Sequence, residues 1–321
     1  MRRRQFITFL GGAVTWPVMA SAQQPMRMPR VIAISPVQFP AFEEATRSSL
    51  RDLGYVEGRN IRLEFRNAAV DALPALAQEV VREGGADVIL ANSTPAALAT
   101  YKATQTIPIV VFAAVDPVES GLADSLAHPG RNVTGVTVFS EETSVKRVEL
   151  MREVLPHAIR LGVVTTKVAS SVGSLRPVLE TGRKVGFAVE PINVDDPSDL
   201  RKALSAEVLA NFDALVFVPD VILDAHMAEI IKLIDASNKP AIFNSPEWVT
   251  NGGFISLGPD YPDANRHLMS QLDRVLKGAK PADLPFERPT KFYLRINMRI
   301  AKTLGIELPP VVLARADEVI E

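Results

Sequence analysis

Two short apolar runs, residues 88–91 and 107–115, constrain the fold of this chain more than any other feature. Both are rich in β-branched residues and both end in small polar residues, a pattern typical of strands buried on both faces of a parallel sheet. The alanine-rich segment between them opens with Ser93, Thr94 and Pro95, which suit a helix N-terminus. The stretch therefore predicts a strand–helix–strand unit of an α/β fold.

The polar residues that follow these two runs predict a binding site. Ligands of open α/β sheets bind at the carboxyl ends of the strands, and the free amides of a helix N-terminus favour an anionic group there. Ser93 and Thr94 follow the first run, and Asp116 follows the second. Ser93 and Thr94 also fit a role as helix caps, and Asp116 fits a role as a cap of the turn at Pro117, so both interpretations stay open at this point.

The amino-terminal residues 1–24 have the pattern of a secretory signal peptide. Three arginines at 2–4 precede a largely apolar run over 6–19 and an Ala-Ser-Ala cleavage sequence. The run is too short for a transmembrane helix. Because an arginine pair is followed by Gln5, Phe6 and Ile7, a twin-arginine signal and an ordinary Sec signal are both open. We expect export to the periplasm.

Composition excludes several classes of function. The chain has no cysteine, which excludes disulfides, thiolate metal sites, a cysteine nucleophile and a cysteine-linked lipid anchor. Its formal net charge is −2 and it has no basic stripe, so nucleic acid is not an expected partner. The four histidines lack metal-ligand spacing, and the dinucleotide, phosphate-loop and serine-hydrolase motifs do not occur. We expect no cofactor, no metal and no catalysis.

The rest of the chain alternates strands and helices in two similar series. The predicted strands of the first series are 30–35, 61–66, 88–91, 107–115 and 132–139, and those of the second are 160–165, 187–192, 214–218 and 240–243. We predict a weak helix over 120–126 and continuous helices over 199–209 and 222–237. Segment 252–259 is predicted to be a strand that crosses back to the first series.

The second series also ends its strands on polar residues. Asp220 follows the predicted strand 214–218, and Asn244 follows the strand 240–243. Phe39, in the loop after the first strand of the chain, suits stacking on an apolar ligand group. Each of the three also fits a structural role, Asp220 and Asn244 as turn residues and Phe39 as a side chain packed under its loop.

Segments along nearly the whole chain resemble the bacterial solute-binding proteins of ABC transporters, in the family that includes tryptophan and tyrosine binders. The matching segments are MRRRQFITFLGGA, LRDLGYVEGRNIRLEFR, DVILANSTPAALA, TIPIVVFAAVDPVESGL, LAHPGRNVTGVT, NGGFISLGPDY, LKGAKPADLPFERPTKFYLRIN and LARADEVIE. The resemblance implies a type I periplasmic-binding-protein fold, in which two doubly wound parallel-sheet lobes are joined by a three-crossing hinge.

The resemblance also implies where the two lobes begin and end. The N-terminal lobe would comprise 28–138 and 258–283, and the C-terminal lobe 139–257 and 284–321. The hinge crossings would lie near 137–140, 256–259 and 284–288.

The function implied by the resemblance is that of a monomeric receptor that captures a small solute between its lobes and delivers it to an ABC permease in the inner membrane. The candidate ligand-binding residues are Phe39, Ser93, Thr94, Asp116, Asp220 and Asn244. A two-lobed ligand sensor or an enzyme on a similar scaffold is the alternative.

Hydroxyl groups together with a carboxylate suit a zwitterion, because its carboxylate and ammonium groups need opposite partners. The resemblance implies that the ligand is an amino acid or a related carboxylate, aromatic or branched. On this interpretation, Asp116→Ala weakens binding of an amino acid more than binding of a simple carboxylic acid.

Overall fold

The computed structural model of the protein describes residues 28–113, 116–138, 141–166, 169–194 and 196–321. The predicted signal peptide lies outside these residues. The strands of the described chain are β1 (Arg30–Ser35), β2 (Arg62–Asn67), β3 (Val88–Ala91), β4 (Ile109–Ala113), β5 (Val133–Thr137), β6 (Arg160–Thr166), β7 (Ala188–Val194), β8 (Ala214–Phe217), β9 (Ala241–Phe243), β10 (Ile255–Pro259), β11 (Phe292–Asn297) and β12 (Glu318–Ile320).

The strands form two sheets, in agreement with the two series of strands and helices predicted from the sequence. The first is a five-stranded parallel sheet in the order β2-β1-β3-β4-β5. The second has seven strands in the order β12-β11-β10-β9-β8-β6-β7, and in it only β10 and β11 pair in antiparallel fashion among the described residues. We call each sheet with the helices packed on it a lobe, the first and the second in chain order.

Helices cover both faces of the sheets. They are α1 (Pro40–Asp52), α2 (Leu73–Glu83), α3 (Thr94–Ala103), α4 (Glu141–Val154), α5 (Ala169–Lys184), α6 (Leu200–Ala203), α7 (Ala206–Leu209), α8 (Val221–Ala225), α9 (Met227–Ser237), α10 (Pro246–Thr250), α11 (Tyr261–Leu276), α12 (Met298–Leu304) and α13 (Pro310–Arg315). The α/β fold class predicted from the sequence is confirmed.

The central strands are apolar at every position because each of their faces is covered. In β1, Ile32 and Ile34 belong to one hydrophobic cluster of the first lobe, and Val31 and Ala33 belong to the cluster on the opposite face. In β8, the clusters alternate in the same way. A strand with two buried faces is a near-continuous hydrophobic run rather than an alternating one, which is why these runs were recognisable in the sequence.

Two of the segments predicted to cross between the lobes can be followed in the described residues. Gly258 and Pro259 pair with Tyr293 and Phe292 in the second sheet, so β10 does not cross back to the first lobe as predicted. The helix α11 that follows β10 does cross, and it packs on β3, β4 and β5. After α11, the chain remains with the first lobe through Phe286, which lies in a hydrophobic cluster of that lobe, and then enters β11.

Three predicted helices are corrected by the structure. Residues 120–126 form turns, in which Gly121 has a φ of 75° that favours glycine. The segment 199–209 forms the two short helices α6 and α7, because Ser205 caps a new helix by accepting a hydrogen bond from Val208 N. The segment 222–237 is interrupted at His226, between α8 and α9. Helical periodicity continues across both interruptions, so the sequence pattern did not reveal them.

Candidate functional site

A cleft of about 430 Å³ lies between the two lobes. The first lobe contributes Phe39 from the loop after β1, and Asn92 and Ser93 from the turn after β3. The second lobe contributes Asp220, which follows β8, and Glu247 at the start of α10. These are carboxyl-terminal strand ends, where open α/β sheets bind ligands, and the volume is in the range of small-molecule sites.

Aromatic side chains form the wall of the cleft on the first lobe. The rings of Phe39 and Phe42 stack with centroids 6.5 Å apart, and Phe112 meets Tyr261 edge to face at 5.8 Å. All four residues line the cleft. Offset and edge-to-face rings of this kind offer both ring faces and ring edges to a further aromatic group. The wall therefore suits an apolar or aromatic ligand body.

Asp220 begins a row of three carboxylates on the opposite side of the cleft. It is the N-cap of α8, and its Oδ1 accepts hydrogen bonds from the backbone N–H groups of Ile222 at 2.8 Å and Leu223 at 3.4 Å. Its Oδ2 accepts a hydrogen bond from the hydroxyl of Thr166. Its orientation is thus fixed from two elements of the second lobe.

Asp224 lies one helical turn after Asp220 and is 9 % exposed. Its Oδ1 accepts hydrogen bonds from Trp248 Nε1 at 2.9 Å and from Asn244 Nδ2 at 3.4 Å. Burial, together with the nearby carboxylates of Asp220 and Glu247, raises the pKa of Asp224 to about 7, and the two hydrogen bonds oppose this shift. A cation placed beside this buried carboxylate would therefore stabilise its ionised form strongly.

Glu247 is the third carboxylate, and burial raises its pKa as well. Its Oε2 is buried without a hydrogen-bond partner in the described chain. A buried oxygen without a partner is costly unless a ligand or an ordered solvent molecule satisfies it, so Glu247 is ready to accept a hydrogen bond from a ligand.

Neutral donors occupy the first-lobe side of the polar region. The Nδ2 atom of Asn92 is buried without a partner in the described chain. Ser93 caps α3 by accepting a hydrogen bond from Ala96 N at 3.2 Å, and its hydroxyl is a donor as well as an acceptor. An amide N–H and a hydroxyl next to each other suit a carboxylate, because both can donate a hydrogen bond to it.

The predicted ligand residues divide into two groups. Phe39, Ser93 and Asp220 line the cleft. Asn244 lies behind the residues that line the cleft. Its Nδ2 donates to Tyr261 Oη at 2.7 Å and contacts Asp224. Thr94 is fully buried in the first turn of α3 and is not among the lining residues.

Asp116 lies outside the cleft lining and has a local role. Its Oδ1 accepts hydrogen bonds from Val118 N at 2.7 Å and Glu119 N at 3.3 Å, so it caps the turn that follows β4. Its Oδ2 forms an ion pair with Arg288 at 3.2 Å, in the segment that joins α11 to β11. This carboxylate is therefore already engaged.

Sequence reasoning did not identify Asn92, Asp224 and Glu247. The spacing of Asp220 and Asp224 was a usable signal, because residues four apart lie on one face of a helix. Glu247 had no such signal, since α10 is only five residues long and follows β9 almost directly. The role of Trp248, which is fully buried and stacks on Phe243 at 4.6 Å while donating to Asp224, depends on contacts that the sequence does not show.

The described residues contain no group of three or more His, Asp or Glu side chains arranged to hold a metal ion. In the same part of the chain, no helix has both the length and the apolar character needed to cross a membrane.

Comparisons with known proteins agree with this architecture. The model of one family, described as ABC transporter substrate binding protein, matches residues 32–320. A tyrosine-binding protein of Clostridioides difficile (strain R20291) is 29 % identical over 279 residues, which cover 84 % of this chain and 79 % of that protein.

Solved structures show the same fold. A conserved domain protein from Vibrio cholerae, 28 % identical, superposes with a TM-score of 0.80 over 91 % of this chain and all of that chain. A domain from Streptococcus pneumonia in complex with L-Trp, 25 % identical, gives 0.77 over 91 % of this chain and all of that chain. The ligand-free, open structure of a Clostridium difficile substrate binding protein with adhesive properties, also 25 % identical, gives 0.58 over 91 % of this chain and 99 % of that chain.

Proposed function

Since the chain belongs to the family of ABC transporter substrate binding proteins, we propose that it captures an aromatic amino acid in the cleft and delivers it to an ABC permease. The observation that carries the proposal is the pairing of an aromatic wall with three carboxylates across one cleft. The proteins of this family are substrate-binding proteins rather than enzymes. In this proposal the ligand is released unchanged.

The cleft provides a separate partner for each part of such a ligand. The ammonium group lies against Asp224 and Glu247, where charge-assisted hydrogen bonds form. The ring packs on the aromatic wall, and the ligand carboxylate faces Asn92 and Ser93. The relatives named for binding tyrosine and solved with L-Trp support an aromatic side chain.

In this proposal, ligand binding is coupled to closure of the lobes. Each lobe supplies some of the ligand contacts, so the ligand stabilises the closed state, in which it touches both lobes. At the same identity of 25 %, the chain superposes better on the L-Trp complex than on the ligand-free, open structure, with TM-scores of 0.77 and 0.58. This difference supports a ligand-holding arrangement of the lobes.

The site of action in this proposal is the periplasm. The pattern of residues 1–24 supports export, and the inner-membrane permease is the partner that receives the ligand. We expect the receptor to act as a monomer.

Isothermal titration of the purified protein with L-tryptophan, L-tyrosine and L-leucine tests the function. We expect saturable binding of at least one aromatic amino acid, and a stabilisation of about 2.7 kcal/mol when free ligand is 100 times Kd. Mass spectrometry of the recovered ligand is expected to show no conversion. Absence of saturable binding, or formation of a product, contradicts the proposal.

Asp116→Ala is expected to change affinity for an aromatic amino acid by less than about threefold, in contrast to the expectation from the sequence. The reason is that Asp116 caps its turn and pairs with Arg288 rather than lining the cleft; exposed ion pairs of this kind contribute little. The measurement is titration calorimetry on Asp116→Ala beside the unchanged protein. A loss of tenfold or more, about 1.4 kcal/mol, would return Asp116 to the ligand contacts.

Affinity for L-tryptophan is expected to rise about tenfold between pH 6 and pH 8. The ligand ammonium group requires the ionised form of Asp224, whose pKa is about 7. As the pH falls, Asp224 is therefore protonated in a growing fraction of the molecules. Several groups face Asp224. Asp220 lies at the start of its own helix, and Asn244, Glu247 and Trp248 follow β9. Tyr261 lies on α11, and burial holds its pKa well above the ordinary value.

Calorimetry at pH 6, 7 and 8 in buffers of constant ionic strength measures this effect. Proton release on binding, detected by comparing buffers of different ionisation enthalpy, is expected near pH 6. An affinity that stays constant or increases toward pH 6 would show that Asp224 is not the group that titrates.

A further inference from the structure

We propose that the cleft selects its ligand mainly through the ammonium group, so that it also binds primary arylalkylamines that lack a carboxylate. The inference rests on the proposed function and extends its ligand class from aromatic amino acids to the corresponding amines. It follows from the charges of the side chains that line the cleft.

The described lining residues include Asp220, Asp224 and Glu247 but no lysine and no arginine. An amino acid zwitterion brings no net charge into this site, whereas an arylalkylamine brings one positive charge. Because charges interact strongly in a partly buried site, a monocation compensates the carboxylates better than a zwitterion does.

Two arginines, Arg147 and Arg288, are the cations to consider as partners of a ligand carboxylate. Arg147 is 2 % exposed and is not among the lining residues. Its Nη1 donates to Leu257 O at 3.0 Å, and its Nη2 donates to Ser144 Oγ at 2.9 Å. Its Nε is buried without a hydrogen-bond partner in the described chain. Arg288, on the segment before β11, is paired with Asp116. Neither guanidinium is among the groups that line the cleft.

The groups that do face a ligand carboxylate are neutral. Asn92 Nδ2 and the Ser93 hydroxyl can donate hydrogen bonds to a ligand carboxylate, but they bring no positive charge that compensates it. The N-terminus of α3 adds little, because Pro95 has no N–H and Ala96 N already donates to Ser93 Oγ. Loss of the ligand carboxylate therefore removes modest interactions, while loss of the ligand ammonium leaves the buried acidic groups uncompensated.

Three ligands with one ring system test the inference by calorimetry at pH 7.5: L-tryptophan, tryptamine and indole-3-propionate. If the protein prefers tyrosine, the matching set is L-tyrosine, tyramine and 3-(4-hydroxyphenyl)propionate. We expect the amine to bind within about threefold of the amino acid or more tightly, and the propionate to bind at least about 100-fold more weakly. Binding of the amino acid with an amine that binds more than about threefold more weakly overturns the inference and leaves the proposed function standing. Failure of all three ligands overturns both.

Two variants separate the ammonium and carboxylate contributions. Ser93→Ala is expected to lower amino acid affinity by less than about fivefold and to leave amine affinity unchanged. Lys167 follows β6 in the sequence and lies outside the described residues, so Lys167→Ala tests for a cationic carboxylate partner. An unchanged ratio of amino acid to amine affinity in Lys167→Ala supports the inference. A selective loss of amino acid binding in that variant overturns it.

Discussion

Replacing Asp224 by asparagine is expected to weaken L-tryptophan binding by about 100-fold and to raise the melting temperature of the ligand-free protein at pH 8. The binding loss arises because the ligand ammonium exchanges a charged partner for a neutral one. Asparagine has nearly the same shape as aspartate and retains an oxygen that accepts the hydrogen bond from Trp248 Nε1. The change therefore acts mainly on charge.

The stability gain follows from the raised pKa of Asp224. Its ordinary value is 3.8 and its folded value is about 7, so the folded state retains a proton that the unfolded state releases. Between these two values, rising pH lowers the free energy of unfolding, and above pH 7 the protein carries the full penalty of a buried carboxylate. Removing the charge is expected to raise the free energy of unfolding by about 1–3 kcal/mol at pH 8 and by almost nothing at pH 4.

Asp235→Asn is the matched control. Asp235 lies on α9 of the same lobe, burial raises its pKa too, and it is not among the residues that line the cleft. We expect this variant to bind L-tryptophan normally. If Asp224→Asn bound L-tryptophan within threefold (about 0.7 kcal/mol) of the unchanged protein, the ammonium would not be held by Asp224.

Gly258→Ala is expected to lower the free energy of unfolding by about 2–4 kcal/mol and to weaken ligand binding. A Cβ atom built on Gly258 in β10 would lie 1.6 Å from the carbonyl oxygen of Asn244 and 3.2 Å from Ser245 Cα. Since these are backbone atoms, no side-chain rotation relieves the overlap. The segment that carries Asn244 and places Glu247 at the cleft must move instead.

Gly54→Ala separates steric overlap from a general effect of losing a glycine. Gly54 has a φ of 87°, and a Cβ atom there would meet nothing within 4 Å. The expected penalty is about 1 kcal/mol, from backbone strain alone, with normal ligand binding. Chemical denaturation measures both variants. Equal losses of stability in Gly258→Ala and Gly54→Ala would contradict the close approach of β10 to Asn244.

The sequence predicted the parts of the site that follow from local pattern. Strands covered on both faces are continuous apolar runs, so their ends were visible, and with them Ser93 after β3 and Asp220 after β8. Phe39 was found because it lies in the loop after β1. Asp116 met the same criterion and nevertheless lies outside the lining, because a polar residue at a strand end serves a turn as readily as a ligand.

The remaining features depend on contacts between distant segments. An apolar run shows that β10 is a strand, but only its pairing with β9 and β11 shows that it belongs to the second sheet. The environment of Asp224 arises from Trp248, 24 positions later in the chain, and from the folding of α10 against α8. Periodicity within a segment carries no information about such packing.

A crystal structure of this protein in complex with L-tryptophan would test most directly whether the cleft binds the ligand ammonium group through its carboxylates. The account predicts ligand density in the cleft, with the ammonium nitrogen within hydrogen-bonding distance, about 2.7–3.2 Å, of a carboxylate oxygen of Asp224 or Glu247 and the indole against Phe39 and Phe112. A ligand bound in the reverse orientation, with its ammonium at Asn92 and Ser93, or a ligand bound outside the cleft would contradict it.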